Sequence, residues 1–405
     1  MRRFRIPAGL ILALGLFAPA PQAQQEVFRS LHVKAPEFPP PSAPGASLPG
    51  ARAEGGGSPP TMGGDSDSGD EDMEAGIVWF NSSPLTLAAL RGKVVLIDFW
   101  NYANINSLRT LPQIKTWWER YHPYGFEVVG VHDPEFDFGY SPSAVREAAR
   151  RLGLRYPIAI DDGFAISKAY QNNGWPNRFL IDAGGTIRFN RPGEGGNDQF
   201  EHAIQDLLLE AHPELQFPPT YTMPTDVNAA APACGAATRP IYVGDWRGHG
   251  ALANAEGYHD RERIDYKMPD SVEDGRTALA GRWEADRSGM IYRGKHKGNE
   301  PGEDRATLRY HAREVYAVMN VVHGHPSRIY VTQDGKPLTA ADKGVDVQID
   351  AQGRSYVEVR QARLYYLVQN PAFGSHSVDL FPTAQGLALN MFSFGNDCQV
   401  AFDHL

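Results

Sequence analysis

The fold of this chain is decided by the stretch Val94-Val95-Leu96-Ile97-Asp98-Phe99-Trp100-Asn101-Tyr102-Ala103-Asn104-Ile105-Asn106-Ser107. Its first half is a largely apolar run with the length of a buried strand. The residues that follow have apolar side chains at helical spacing, so the pattern predicts a strand that turns directly into a helix. The start of such a helix favours negative charge, and a cysteine placed there has a lowered thiol pKa. This turn contains no cysteine.

Residues 75–212, which surround this turn, alternate between strand-like and helical patterns. The strand-like runs are 94–100, 126–131, 157–160, 178–182 and 186–190. Helical patterns cover residues 107–121, 143–152, 164–170 and 199–209. This order predicts an α/β domain with a mixed central sheet and helices on both faces.

The chain changes character after this domain. Residues 213–240 are rich in proline and predict an extended connector. Residues 241–405 contain short strand-like runs at 307–310, 315–322, 328–333, 345–349, 356–359, 364–368, 377–381 and 387–394. Short strands separated by turn residues predict an all-β sandwich, similar to a jelly roll.

The N-terminal residues 1–23 have the pattern of a signal peptide. Arg2, Arg3 and Arg5 precede an apolar stretch at 6–17 and small residues that suit cleavage, although retention as an anchor stays open. Residues 24–74, rich in Pro, Gly and Ser and ending in an acidic run, predict a disordered linker. No other apolar run is long enough to cross a bilayer. The pattern therefore predicts a periplasmic or secreted protein without a membrane span in the mature chain.

Charge and cysteine content limit the chemistry further. The formal net charge of −9 over 405 residues argues against nucleic-acid binding. Cys234 and Cys398 are the only cysteines. In an oxidising compartment such a pair predicts a structural disulfide, and the alternative of a redox pair lacks the short spacing that tunes one thiol against another.

Several dispersed pieces resemble the thioredoxin-like domains of the TlpA and DipZ type, redoxins related to AhpC/TSA. They are 85–87 with 90–96, 99–102, 108–112, 129–136, Trp175-Pro176 with 179–182, and 193–196. Residues 344–347 and 363–367 resemble the β-sandwich that follows thioredoxin in DipZ-type proteins. The resemblance implies a thioredoxin-like fold followed by an all-β domain.

In this resemblance Asn104 and Ser107 occupy the positions of the family's two cysteines. Neither side chain can exchange a disulfide, so the site is predicted to be degenerate and no catalytic residue is expected. Ser107 is interpreted as a helix cap. A nucleophilic role for its hydroxyl would need a base, and none appears nearby in sequence.

The resemblance also implies a cis-proline segment at Trp175-Pro176, beside the turn. A substrate groove is expected from Trp100, Tyr102, Glu135, Trp175 and Pro176, able to hold an extended peptide or an envelope protein. His132 and Glu135 are interpreted as a hydrogen-bonded pair in a surface loop.

In the all-β region, Trp246, Trp283, Tyr365 and Tyr366 are candidates for a sugar-stacking platform, although aromatic residues in such domains are usually core. The histidines lack the spacing of metal ligands. No metal site and no cofactor are predicted.

The function predicted from sequence is a redox-inactive binding or scaffolding module of the cell envelope. One alternative is a thiol-disulfide oxidoreductase of the TlpA/DipZ family, of the cytochrome c biogenesis or antioxidant type. A further alternative is a glycan-binding protein that acts through the β-sandwich.

Overall fold

The structure, a computed structural model, describes residues 29–40, 77–221, 236–294, 302–322 and 326–396. The predicted signal peptide at 1–23, most of the predicted linker, and both Cys234 and Cys398 lie outside these residues. Within the described ranges, no helix combines the length and the apolar character needed to cross a membrane.

The first domain is a seven-stranded mixed sheet with four α-helices. Its strands are β1 (Arg29–Lys34), β2 (Val78–Phe80), β3 (Val94–Trp100), β4 (Phe126–His132), β5 (Ile158–Ile160), β6 (Asn177–Ile181) and β7 (Thr186–Pro192). The helices are α1 (Ile105–Tyr121), α2 (Pro142–Arg151), α3 (Ala165–Ala169) and α4 (Asn197–Ala211). The strand order is β1-β7-β6-β3-β4-β5-β2, with β3, β4 and β5 parallel. This arrangement confirms the predicted thioredoxin-like α/β fold.

Strand β3 lies at the centre of the sheet and is buried along its whole length. Leu96 and Trp100 face the core that includes α1 and α4, whereas Ile97 and Phe99 face a second core that includes Ile166 of α3. Burial on both faces explains why this strand reads as a nearly continuous apolar run.

Residues 29–40 correct the prediction of a disordered linker over 24–74. Strand β1 pairs antiparallel with β7, and Phe38 is buried with its ring 5.6 Å from that of Trp79. The Glu37 carboxylate accepts hydrogen bonds from the backbone N–H groups of Leu87 and Ala88, at 3.0 and 2.9 Å. The sequence did not reveal this because the apolar residues involved are few and sit in a proline-rich segment.

Among the residues of the second domain that the structure describes, the regular elements are all strands. They are β8 (Ile241–Tyr242), β9 (Arg263–Tyr266), β10 (Arg276–Ala285), β11 (Met290–Tyr292), β12 (Arg305–Val321), β13 (Ser327–Gln333), β14 (Lys336–Pro337), β15 (Gln348–Ile349), β16 (Ser355–Val359), β17 (Arg363–Pro382) and β18 (Leu387–Gly395). Hydrogen bonds link them in the order β15-β16-β13-β17-β12-β10-β11-β18-β8, with β14 on β13 and β9 on β10. The first half of β12 pairs with β10 and its second half with β18. The predicted all-β character is confirmed.

The two domains share one apolar core. Tyr316, Val318, Leu364, Tyr366 and Met391 of the second domain belong to the same buried cluster as the α1 side chains of the first. Burial of this contact removes apolar surface of both domains from water, so we expect them to stabilise each other.

Candidate functional site

The turn between β3 and α1 is closed by Asn104, which caps the helix. Its Oδ1 accepts hydrogen bonds from the backbone N–H groups of Asn106, at 3.0 Å, and Ser107, at 3.3 Å. These are two of the amides that a helix start leaves unpaired. The expectation that Ser107 caps the helix is therefore wrong, because Ser107 lies inside α1.

Ser107 is fully buried, and its hydroxyl bonds to the backbone. Its Oγ accepts a hydrogen bond from the backbone N–H of Asn101, at 3.3 Å. Among the described residues, no histidine or carboxylate hydrogen-bonds to this hydroxyl. A serine without a base is a poor nucleophile, so the geometry gives Ser107 a structural role.

The residues expected to line an open groove are mostly covered. Trp100, Tyr102, Glu135 and Pro176 are buried, and Trp175 is half-buried. The Trp175–Pro176 peptide bond is cis. The structure therefore brings these residues close to the turn without leaving them open to a large partner.

His132 is not part of a surface loop pair. It ends β4 and is fully buried, with its ring 5.2 Å from that of Trp100 and stacked at 5.3 Å on Tyr102. Neither ring nitrogen has a hydrogen-bonding partner among the described residues. Burial lowers the pKa of His132 to about 3, so the ring is neutral at physiological pH.

Asp98 is a buried acid that the sequence reasoning missed. It lies in β3, and neither carboxyl oxygen has a hydrogen-bonding partner within the described ranges. Burial raises the pKa of Asp98 to about 7, although the positive charge of Arg178 opposes the rise. The sequence feature that could have revealed this residue is a carboxylate within a strand that is otherwise apolar.

Asp133 holds the cis-proline segment in place. Its Oδ2 accepts hydrogen bonds from Ser167 Oγ at 2.5 Å, Trp175 Nε1 at 2.8 Å and Asn172 Nδ2 at 3.3 Å. Burial and the nearby Asp161 raise the pKa of Asp133. The indole of Trp175 is thus fixed by an acid that immediately follows β4.

Glu135 joins the turn region to the second domain. Its Oε1 accepts hydrogen bonds from Tyr242 Oη at 2.6 Å and from Arg247 Nη1 at 3.1 Å. Burial raises the pKa of Glu135, while Tyr242, Arg247 and the side chain of Asn104 oppose the rise. The groups that satisfy Glu135 come mainly from the other domain, which a sequence pattern does not reveal.

A second buried contact between the domains starts from α1. Arg109 Nη2 lies 3.2 Å from Glu314 Oε2, and both side chains are almost fully buried. Arg109 Nη1 also lies 3.5 Å from Glu194 Oε1. The hydroxyl of Tyr316 donates a hydrogen bond of 2.8 Å to Glu314 Oε2. These groups fix the start of α1 against β12.

A cleft lies at the domain boundary, beside the helix start. Its volume is about 260 Å³, slightly below the roughly 300–1,000 Å³ of typical ligand pockets. Asn104 and Asn106 form one wall, and Arg239, Tyr242, Met391 and Asn396 are among the residues opposite.

The proposed sugar platform is not formed by the aromatic residues that suggested it. Trp283, Tyr365 and Tyr366 are buried in the core. Trp246 is only partly buried, and the guanidinium groups of Arg247 and Arg287 lie 4.4 and 4.7 Å from its ring centre. In the part of the chain that is described, no cluster of three or more His, Cys, Asp or Glu side chains could hold a metal ion.

Comparison with known proteins defines the class of this chain. The AhpC/TSA family matches residues 80–190, and the family described as thioredoxin-like C-terminal domain matches residues 238–395. The chain is a two-domain thioredoxin-like protein. It is similar to protein DipZ of Mycobacterium tuberculosis, with 37% identity over 273 residues, which cover 66% of this chain and 36% of that protein. The chain thus spans about a third of the length of this relative.

Other proteins match a shorter part of the chain. The thiol-disulfide oxidoreductase ResA of Bacillus thuringiensis is 29% identical over 123 residues, which cover 30% of this chain and 68% of that protein. A solved structure of a thiol-disulfide isomerase from Corynebacterium glutamicum is 24% identical and covers 32% of this chain and 90% of that chain, with a TM-score of 0.31.

Proposed function

We propose that this chain is an exported, redox-inactive thioredoxin-like protein that acts by binding rather than by thiol exchange. The observation that carries the proposal is the turn itself: the carboxamide of Asn104 satisfies the amides at the start of α1, where a reactive thiolate would be stabilised. Disulfide exchange requires a thiolate that attacks sulfur, and this turn offers an amide and a buried hydroxyl.

Location and partner belong to the same proposal. The basic and apolar N-terminal pattern supports export to the periplasm or beyond. The expected partner is an extended peptide or an envelope protein, which would present an extended segment to the region beside the turn.

A second candidate function is thiol-disulfide oxidoreductase activity. The observation that favours it is the similarity to relatives such as ResA, whose name states this activity. In this chain the chemistry would have to use Cys234 or Cys398, because the sequence contains no other cysteine.

The purified protein is expected to reduce neither insulin nor a small aromatic disulfide above the rate of dithiothreitol alone. The reason is the absence of a thiolate at the start of α1. The measurement is turnover with dithiothreitol as the electron source. Activity that disappears in the Cys234→Ser, Cys398→Ser variant would establish the oxidoreductase function instead.

The matched control for this assay is the Asn104→Cys, Ser107→Cys double variant. The two backbone amides that now bond to Asn104 Oδ1 would face the thiolate introduced at position 104 and lower its pKa below the usual value of roughly 8.5. The variant should therefore react with the small disulfide. A positive result shows that the assay detects thiol chemistry at this turn.

Cys234 and Cys398 are expected to be bonded to each other. Both lie outside the described residues, but Ala237 and Asn396, close to them in sequence, line the same cleft. A disulfide across so long a loop stabilises the folded protein by about 5 kcal/mol in the chain-entropy treatment. Thiol titration of the denatured, unreduced protein should find no free thiol, and two free thiols would contradict the pairing.

A further inference from the structure

The turn between β3 and α1 is enclosed by the second domain. Tyr102, Ala103, Ile105 and Ser107 are all buried. Contacts with Glu314 and Tyr242 of the second domain close two sides of this region. A folded partner would have to separate the domains to reach the turn, whereas a single extended chain needs only the cleft beside Asn104 and Asn106.

We propose that this cleft binds an acidic peptide in extended conformation, which adds as a strand to the free edge of β8. This inference rests on the proposed binding function and names the chemistry of its partner. It places recognition on the second domain, facing the turn, rather than on the buried residues around Trp100.

Strand β8 supplies the backbone for this interaction. It is the last strand in the order of the second sheet and pairs with β18 alone, through Ile241 with Phe392 and Tyr242 with Met391. Among the described strands, none covers its other edge. Peptides bind such edges through backbone hydrogen bonds, and neighbouring side chains give the specificity.

The walls of the cleft favour negative charge. Arg239, immediately before Pro240 and β8, is exposed and makes no ion pair with any residue that the structure describes. Two neighbouring cations are already paired: Arg247, over the ring of Tyr242, with Glu135 at 3.1 Å, and Arg109, beside Asn106, with Glu314 at 3.2 Å. Asn106 also lines the cleft, and its Nδ2 can donate to a peptide carbonyl, whereas the Asn104 carboxamide is engaged by the amides at the helix start and by Glu135. An acidic side chain beside Arg239 therefore completes the site.

The test uses three fluorescently labelled hexapeptides in which valine alternates with glutamate, glutamine or lysine. Binding to the full-length protein is measured by fluorescence anisotropy at low and physiological salt. The glutamate peptide should bind most tightly and the lysine peptide most weakly. In Arg239→Gln the affinity for the glutamate peptide should fall about five-fold, as expected for one partly exposed charge pair. The affinity for the glutamine peptide should stay unchanged.

The matched control is Lys336→Gln, which removes the same charge from an exposed residue of β14, on a strand that does not line the cleft. It should leave all three affinities unchanged. Equal binding of the three peptides, an equal loss in both variants, or no binding of the glutamate peptide at millimolar concentration would each overturn the proposal. The turnover assay tests separately whether the protein lacks redox activity. The peptide-binding proposal and the proposed function can therefore fail independently.

Discussion

Replacing Glu314 by alanine is expected to lower the free energy of unfolding by about 3–5 kcal/mol, because it removes one partner of a buried ion pair. Arg109 would keep the longer contacts of 3.5 Å with Glu194 and with Asn106 Oδ1, and the hydroxyl of Tyr316 would lose its acceptor. Both paired side chains are almost fully buried, so the charge of Arg109 would be left in a desolvated position. Urea unfolding followed by tryptophan fluorescence measures the change.

Two further variants distinguish the loss of stability caused by breaking the buried ion pair from a general effect of substitution. Asp265→Ala breaks an exposed pair with Arg282 in the same domain and should change stability little. The double variant Arg109→Met, Glu314→Leu replaces the buried charges by apolar side chains and should recover most of the loss. If the free energy of unfolding falls no more in Glu314→Ala than in Asp265→Ala, the contact between Arg109 and Glu314 does not hold the domains together.

The first domain was predictable because its elements carry local signals. β3 and α1 differ in periodicity, and the change from one to the other falls at the turn. The order of strands and helices then leaves few arrangements of the sheet, and the observed one is among them. The all-β character of the second domain followed in the same way from short strands and frequent turns.

The candidate site was predictable only in part, because burial around the turn comes from residues far away in sequence. Nothing near Arg109 indicates that its partner is Glu314, and nothing near Glu135 indicates Tyr242. Trp100 and Tyr102, which were expected to line an open groove, are buried in the structure. The cleft that the structure describes beside Asn104 is lined by residues of both domains.

The burial of His132 and Asp98 could not be predicted from the sequence for a similar reason. A histidine before a loop suggests exposure, yet the parallel pairing of β3 and β4 places His132 opposite Trp100 and under the ring of Tyr102. Asp98 is opposite Gly130 on the same pair of strands. Whether a polar residue in a strand is buried depends on what covers that face, which the strand itself does not encode.

Asp98→Asn is expected to remove a large part of the pH dependence of stability. The carboxyl group ionises at pH 3.8 in its ordinary state and at about 7 in the folded protein. Between these values the unfolded chain has lost a proton that the folded chain still holds, so the free energy of unfolding falls as the pH rises. For Asp98 the fall amounts to at most about 4 kcal/mol between pH 4 and 8.

The asparagine variant carries no charge at any pH, so its unfolding free energy should decline less over this range by about that amount. Burying the asparagine amide without a partner lowers the free energy of unfolding equally at pH 4 and pH 8. This contribution therefore cancels when the stabilities at the two pH values are compared. Asp206→Asn, an exposed change in α4, is the control and should follow the original protein. If Asp98→Asn keeps the original pH dependence, the Asp98 carboxylate must be hydrated or paired in solution. The apolar enclosure of β3 would then be less complete than its burial indicates.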